Sequence, residues 1–581
     1  MDLAAIYHRP DSEFAFLYQP DRLRVRLQTA SNDVEAVYLV YGDPYILVDG
    51  SWQPKTIRMQ QGLITDLACF WTIELTIDRR RLAYAFQVIG VDGTSTFYGD
   101  QGPGPILPKT DACFRMPYFQ EIDRAKVPEW VKQTVWYQVF PERFANGDPT
   151  NDPDGTLPWT NEAPQAQDFY GGDLQGVIDH LDHLVALGIN GLYLNPIFMA
   201  PSNHKYDTRD YRMVDPHFGN DETLRQLITA CHQRGIKVML DAVFNHLGDQ
   251  SPQWQDVIQN GAASRYADWF HIRDFPVRYQ PGRNFEDATD ITYDVFATTP
   301  HMPKLNTANP EVQAYLLSIA RYWIEAFDID AWRLDVANEV DHHFWKKFRQ
   351  VCDAAKPDFY ILGEIWHSAQ SWLSGDEFSA VMNYAYTDAI LDYFIHKKIP
   401  LHQMVSKLNR QLMLYRDQIN QVQFNILDSH DTPRLLTMAN DNRRLMRQTM
   451  AFMYLQPGVP CLYYGDEYGM TGVDDPANRK CMVWDPVDQD QAMYQFVKQL
   501  IGLRHGKQKL LSEGQLEWLI EPTHPDVLKM TRRLGEQQLT AVFNAGQTAV
   551  SVASMRTPIL SEGVQQQTAA TIIEPDGFMI Y

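Results

Sequence analysis

Cysteine is scarce: six in 581 residues, at Cys69, Cys113, Cys231, Cys352, Cys461 and Cys481. No two of them stand as a C-x-x-C pair or at metal-ligand spacing. That excludes a disulfide framework and a cysteine metal site, and it predicts buried thiols in a reducing, cytoplasmic compartment. Positive charge is short as well. Lys plus Arg number 51 against 73 Asp plus Glu, a formal net charge of −22, which argues against a nucleic-acid partner bound through phosphates. No apolar run approaches the ~20 residues of a membrane span. The start, Met1-Asp2-Leu3-Ala4-Ala5-Ile6, lacks the basic head and unbroken apolar stretch of a secretory signal. There is no solenoid repeat and no low-complexity tract. What is present is 45% hydrophobic residues, with 14 Trp, 29 Tyr and 28 Phe. That composition and length predict a soluble chain of about three or four domains with large cores.

Residues 1–125 read as all-β. Arg22-Leu23-Arg24-Val25-Arg26-Leu27 alternates strictly, as do Trp71 to Ile77 and Tyr84 to Val88, so each has one apolar and one polar face, as in a β-sandwich. Arg124 to Trp130, with Pro128, reads as a linker. The grammar then changes. Val135 to Phe140 is a continuous apolar run, as in a strand buried on both faces. Val177, Ile178, Leu181, Leu184 and Val185 recur at helical spacing, stopped by Gly188 and followed by Leu192-Tyr193-Leu194. Leu224, Leu227, Ile228 and Cys231, stopped by Gly235, lead into Ile236 to Leu240; Val312, Leu316, Ile319 and Trp323 lead into Ile329 to Trp332. Further strands are predicted at Phe359 to Leu362, Ala380 to Met382, Phe424 to Leu427 and Pro460 to Tyr464. Residues 126–505 therefore predict an α/β domain, a (β/α)8 TIM barrel, with an inserted subdomain at 247–303 after the third strand. Short β-like runs return at 506–581 and predict a C-terminal β-sandwich.

In such a barrel chemistry gathers at the C-terminal ends of the strands. Those ends read Asp241 to His246, Trp332-Arg333-Leu334-Asp335, Gly363-Glu364-Ile365-Trp366 and Asp428-Ser429-His430-Asp431. Asp335 and Glu364 lie one βα unit apart, so they can face each other across the barrel mouth, with Asp431 as a third acid. Two facing carboxyls are what glycoside hydrolysis needs, one at the anomeric carbon and one donating to the leaving oxygen. Arg333 shares the face of Asp335, which places its charge to hold Asp335 ionised. A single such Asp is as readily a salt-bridge or capping residue; three acids with Arg333, His246 and His430, all at strand ends, favour chemistry.

These four segments resemble the conserved regions of the α-amylase family of glycoside hydrolases, over about residues 130 to 500. Met302-Pro303-Lys304-Leu305-Asn306 resembles the marker of the neopullulanase, cyclomaltodextrinase and maltogenic amylase subgroup, and Val336-Ala337-Asn338-Glu339-Val340 looks like the same subgroup. The resemblance implies Asp335 as nucleophile, Glu364 as general acid/base and Asp431 as the stabilising third acid. It implies Arg333, His246 and His430 as sugar contacts around the scissile bond. Asp475 and Arg479 would grip the non-reducing neighbour, and Tyr206 would be the aromatic platform of that subsite. Trp366 and Phe296 are candidates for stacking on the acceptor side, with core packing the alternative for each. One departure is Ala331, where the subgroup usually has Gly.

After the first strand, Asn146, Asp148, Asn151 and Asp152 crowd into seven residues, with Gly171-Gly172-Asp173 nearby. Hard oxygens in such a loop suit Ca²⁺, but Asn/Asp/Gly loops are also ordinary turns, and Asp173 can cap the following helix. The resemblance implies a structural calcium held by Asn146, Asp148, Asn151, Asp152, the Gly171 carbonyl and Asp173.

The expected function is therefore a retaining α-glucan hydrolase with some transglycosylation. It would act on α-1,4 links, and some α-1,6 links, of cyclodextrins, maltooligosaccharides and pullulan. The resemblance also implies a homodimer in which the N-terminal domain of one chain helps wall the active site of the other. The rivals are an oligo-α-1,6-glucosidase or branching-type transferase on the same barrel, and a non-catalytic glycan-binding protein. The pentapeptide argues against the first. The three retained acids argue against the second.

Overall fold

A computed structural model of the chain describes residues 1–77, 79–278, 291–553, 556–567 and 570–581. Eight short parallel strands form the centre: β1 (Trp136–Val139), β2 (Gly191–Leu194), β3 (Lys237–Ala242), β4 (Ala331–Leu334), β5 (Tyr360–Gly363), β6 (Ala380–Val381), β7 (Phe424–Asn425) and β8 (Val459–Tyr463). They hydrogen-bond in the order β6-β5-β4-β3-β2-β1-β8-β7, and a parallel bridge between Met382 and Phe424 closes the ring. Nearly every strand residue is buried, because helices cover the outside and side chains fill the inside. At the β6–β7 seam side-chain amides extend the ladder. Gln423 Oε1 accepts from the Val381 N–H at 2.9 Å, and Asn383 Nδ2 donates to Asn425 Oδ1 at 2.8 Å.

The helices fall where the apolar periodicity puts them, with one difference. The stripe from Leu174 is two helices, Leu174–Asp179 and Leu181–Leu187. His180 breaks it: its ring bonds back to the Gly176 carbonyl at 2.8 Å, and the register then shifts so that Val185 is exposed. Gly188 and Gly235 end their helices at left-handed φ of +97° and +74°, a conformation that favours glycine. Asp221–Gln233 and Pro310–Phe327 bury the predicted stripes. The stretch after β3 holds the helix Pro252–Asn260 and isolated bridges that return it to the barrel at His246–Lys304 and Phe270–Leu305. Its residues 279–290 lie outside those described.

The N-terminal strands form a four-stranded and a six-stranded antiparallel sheet over a separate core that includes Leu23, Val25, Leu27, Val37, Trp71 and Phe86. The charged face of Arg22–Ala30 is not all solvent-facing. Arg26 is 2% exposed; its guanidinium donates to the Glu13 and Tyr415 carbonyls and pairs with Asp417, while Arg24 reaches the other Asp417 oxygen at 3.3 Å. A buried guanidinium is tolerable only when so fully partnered, so this pair fixes where the domain docks on the barrel. The C-terminal strands form one antiparallel sheet, a path of five strands with a sixth paired to the last strand of the chain. One face, through Leu528, Met530, Phe543 and Phe578, joins the barrel core, and the other closes over Val527, Val542, Val550, Ile573 and Met579.

Candidate active site

The register of the barrel brings four acids to one lip. Asp241 pairs with Arg333 across β3–β4, and Leu334 pairs with Gly363 across β4–β5. The next residue along each strand is then Asp335 or Glu364, whose backbone N–H groups still bond back to Ala242 and Leu334 at 3.0 and 2.9 Å. Arg333, fully buried, sits among them. Its Nη1 donates to Asp241 at 3.1 and 3.2 Å and to Asp335 at 2.7 Å, and its Nη2 lies 2.9 Å from Glu364. Asp335 and Glu364 are thus held by the two terminal nitrogens of one guanidinium. Glu364 also accepts from the Val336 N–H at 2.8 Å and from Trp366 Nε1 at 3.2 Å.

Asp431 completes the set from the loop after β7. It lies 3.2 Å from His430 Nε2 and 3.6 Å from Arg479 Nη2. Arg479 also holds Asp475 at 3.1 Å and donates to the His430 carbonyl at 2.9 Å. Tyr206 lies beside the His430 ring in nearly the same plane, its hydroxyl 2.6 Å from Nε2 and the planes 5° apart. Its hydroxyl donates to Asp241 at 3.0 Å and accepts from Asn195 at 2.9 Å. His246 carries Phe296 stacked on it at 5.3 Å. Trp366 stacks on Tyr384 at 3.8 Å, remains 45% exposed, and forms a platform beside Glu364.

The electrostatics correct one expectation. Arg333 does favour an ionised Asp335, but it is shared among three acids. Burial, joined by the like charges of Glu364 and Asp241, pushes the Asp335 carboxyl well above the usual carboxylate range. Burial and the charge of Glu364 push Asp431 up to about 7, against the pull of Arg333 and Arg479; its side chain keeps 28% exposure, so water at its open edge tempers that push. Asp241 is also raised by burial, with Arg333 opposing. Arg333, with Arg479 reaching only Asp431 at its edge, cannot balance four clustered carboxylates, so the cluster favours a retained proton that belongs to the group as a whole. His246, brought down to about 3, and His430 are kept neutral, in both cases chiefly by burial.

The loop residues Asn146, Asp148, Asn151, Asp152, Gly171 and Asp173 also come together. Asp173 is the N-cap of Leu174–Asp179 and accepts from the Gly176, Gly147 and Asp148 N–H groups at 2.6, 3.1 and 2.8 Å. Asn151 Nδ2 donates to it at 3.2 Å, and Asn146 Nδ2 donates to Asp152 at 2.8 Å. Gly171 sits at φ +78°, where a Cβ would lie 2.2 Å from an Asp152 oxygen. The amide oxygens of Asn146 and Asn151 are buried with no hydrogen-bond partner. Asp148 turns to Thr150, accepting from its hydroxyl at 2.6 Å. Among the described residues no three His, Cys, Asp or Glu side chains form a metal cage; the oxygens gathered here are carboxylate, side-chain amide and backbone carbonyl.

The sequence profile of the alpha amylase catalytic domain matches residues 138–514. The chain belongs to the α-amylase family. Residues 1–120 of this α-amylase family member match the alpha amylase N-terminal ig-like domain. The chain is 50% identical over 550 residues to the intracellular maltogenic amylase of Bacillus subtilis (strain 168), covering 94% of this chain and 92% of that one. It is 47% identical over 592 residues to the cyclomaltodextrinase of Geobacillus thermopakistaniensis (strain MAS1), covering 99% and 98%. A solved cyclomaltodextrinase structure matches with a TM-score of 0.91 at 40% identity, covering all of both chains. The subgroup resemblance read from Met302–Asn306 is borne out over nearly the whole chain.

Asp241 was visible in the sequence as a strand-end acid but carried no assigned role, although in the α-amylase site it anchors Arg333, Tyr206 and Tyr193, whose hydroxyl donates to it at 2.7 Å. Gln138, which donates to His430 Nδ1 at 2.8 Å, gave no signal inside an apolar strand run, and Asn195, just past the end of β2, was not singled out. Asp241→Asn removes one negative charge beside Asp335. That charge raises the proton affinity of Asp335, so its removal lets Asp335 ionise at lower pH. The acid limb of the kcat/KM–pH profile is expected to move to lower pH while kcat falls about 10- to 100-fold through the lost charged anchor. An acid limb that stays in place or moves to higher pH refutes the coupling.

Proposed function

We propose that this α-amylase family hydrolase cleaves α-1,4 links, and some α-1,6 links, of cyclodextrins, maltooligosaccharides and pullulan with retention of configuration. The observation that carries the reading is the grip of Arg333 on Asp335 and Glu364, because double displacement needs its two carboxyls only ~5 Å apart. In the first step an Asp335 carboxylate oxygen bonds to the anomeric carbon as the glycosidic C–O bond breaks. The proton of the Glu364 carboxyl goes to the departing oxygen. In the second step Glu364, now a carboxylate, takes a proton from water as the water oxygen bonds to the anomeric carbon and the Asp335 ester bond breaks. A sugar hydroxyl in place of water gives transglycosylation. Asp431 and its partners His430 and Arg479 stabilise the oxocarbenium-like transition state and hold the adjoining glucosyl hydroxyls, with Asp475, Tyr206 and His246. Trp366, with Phe296 nearer His246, offers the aromatic surface on the acceptor side.

Incubation of the full chain with β-cyclodextrin is expected to release maltose and glucose, with the α-anomer first by proton NMR. Asp335→Asn is expected to lower kcat by about 10⁴-fold or more, as loss of a covalent nucleophile does. Release of the β-anomer first, exclusive cleavage of α-1,6 links, or substantial turnover by Asp335→Asn overturns the reading.

We also propose a structural Ca²⁺ in the loop after β1, supported by the two orphaned Asn oxygens, which lack any donor, and by the nearby carboxylates of Asp152 and Asp173. Asn146, Asp148, Asn151, Asp152, the Gly171 carbonyl and Asp173 would hold it. Its charge would stabilise the loop that starts the first barrel helix and would take no part in the chemistry. Chelation is expected to lower the midpoint of thermal unfolding, with recovery on adding Ca²⁺; a midpoint indifferent to both refutes the site.

A homodimer is proposed from the N-terminal domain, where Tyr45, Ile46, Leu47 and Val48 run consecutively at 45% to 68% exposure. Four such residues in a row on the surface of the chain support an interface there. Leu47→Asp is expected to convert a sedimenting dimer into a monomer; a wild-type chain that sediments as a monomer overturns this. Among the described residues no helix is long and apolar enough to cross a membrane. All six cysteines are free and buried, which supports placing the protein in the cytoplasm.

A further inference from the structure

The inserted stretch rejoins the barrel along the end of β3. Lys304 forms a bridge with His246, and the Leu305 N–H donates to the Asn245 carbonyl at 3.0 Å. The Lys304 side chain turns inward. Its ammonium donates to the side-chain oxygen of Asn245 and, at 2.9 Å, to the Glu339 carbonyl. An ammonium can only donate, so it fixes which end of the Asn245 amide faces it. The Asn245 nitrogen is thereby directed at His246 Nδ1, 3.2 Å away. That nitrogen too can only donate, so Nδ1 accepts. In a neutral imidazole the other nitrogen then carries the proton, and burial keeps this imidazole neutral. His246 Nε2 is buried with no hydrogen-bond partner in the protein. The Tyr206 backbone lies close enough to favour a protonated ring, but it completes no hydrogen bond to Nε2. His430 is fixed in the same sense by Gln138, whose amide donates to its Nδ1.

We propose that Lys304 is a positioning residue: through the Asn245 amide it fixes His246 as the tautomer with its proton on Nε2, so that the ring meets the bound glucosyl unit as a hydrogen-bond donor. The inference rests on His246 being a sugar contact of the proposed hydrolase. It gives the third residue of the Met302–Asn306 marker a task in the reaction, since the Lys304 ammonium is directed at Asn245 and Glu339. With Lys304 gone, the Asn245 amide is free to turn its oxygen to Nδ1. The imidazole proton then moves to Nδ1, and Nε2 offers a lone pair where the sugar hydroxyl needs a donor.

The test is a set of single and double variants assayed on maltotriose, each checked for folding by thermal unfolding. His246→Ala is expected to lower kcat/KM about 10- to 100-fold, the range for a hydrogen-bond partner left unmade. Lys304→Met is expected to lose a similar factor, and Lys304→Arg, which keeps a donor, to recover part of it. The deciding variant is Lys304→Met/His246→Ala, which should lose no more than His246→Ala alone. Asn245→Asp supplies a second route, because it keeps an oxygen for Lys304 but has no N–H to give Nδ1. It should match His246→Ala in kcat/KM. In ring-labelled ¹⁵N NMR the His246 proton should move from Nε2 to Nδ1. No loss in His246→Ala overturns the sugar contact and the proposal with it. A loss in His246→Ala with multiplicative losses in the double variant, or an unchanged tautomer in Asn245→Asp, leaves the sugar contact standing and overturns the relay.

Discussion

One positive charge with no access to water governs this barrel. Arg333 stands on β4 with Asp241, Asp335 and Glu364 around it, and burial, which would lower its proton affinity, is outweighed by Asp241 and Glu364 so that it stays charged. A guanidinium in that position is stable only while carboxylates surround it, and the carboxylates are stable as anions only while it is there. The balance is uneven, with more acids than it can neutralise, and the surplus is met by retained protons. That shortfall of positive charge is chemically useful. A site that must hand a proton to a leaving oxygen and offer a bare carboxylate to carbon needs acids of unequal proton affinity within reach of each other.

The surrounding structure serves to hold these groups in place. Asp241 is the meeting point: Tyr193 and Tyr206 donate to it, Tyr206 meets His430, and Gln138 ties His430 to Asn195. A buried polar network of this sort rigidifies a site when its members are satisfied. On the far side Asn478 donates to the carbonyls of His430 and Thr432 at 2.8 and 2.9 Å, and Arg434 donates to the Asn478 and Tyr464 carbonyls. The segment that presents Asp475 and Arg479 is therefore fastened to the loop that presents Asp431. Both sides of the third acid move together or not at all.

Much of this was legible in the sequence, and the parts that were not share a physical reason. The eight strands could be read because parallel strands buried on both faces are continuous apolar runs, and the acids could be read because they interrupt the pattern at strand ends. Gln138 and Tyr193 were invisible because an inward-facing polar residue in such a run looks like any other core position. Arg26 misled in the opposite direction: strict alternation marks a polar face without saying whether water or another domain covers it. The two-residue strands β6 and β7 were overread because side-chain amides, which no periodicity encodes, do part of the pairing. The Lys304–Asn245 contact joins residues 59 apart in sequence. Its meaning depends on which end of an amide faces a lysine, which only three-dimensional structure can supply.

The acceptor side shows how the same geometry admits two outcomes. Trp366 lies on Tyr384 with its face open and its indole N–H on Glu364. On the proposed mechanism a sugar ring resting there would bring a hydroxyl to the carboxylate that has just given up its proton, while the glycosyl group is held as an ester. Water reaches the same carboxylate by the same opening. Which one reacts is a competition between the concentration of water and the effective concentration of a sugar held on that surface. On that proposal a single aromatic residue touching Glu364 would couple acceptor binding to the proton transfer that completes the cycle. Hydrolysis and transfer are then two fates of one intermediate, decided outside the cluster of acids that forms it.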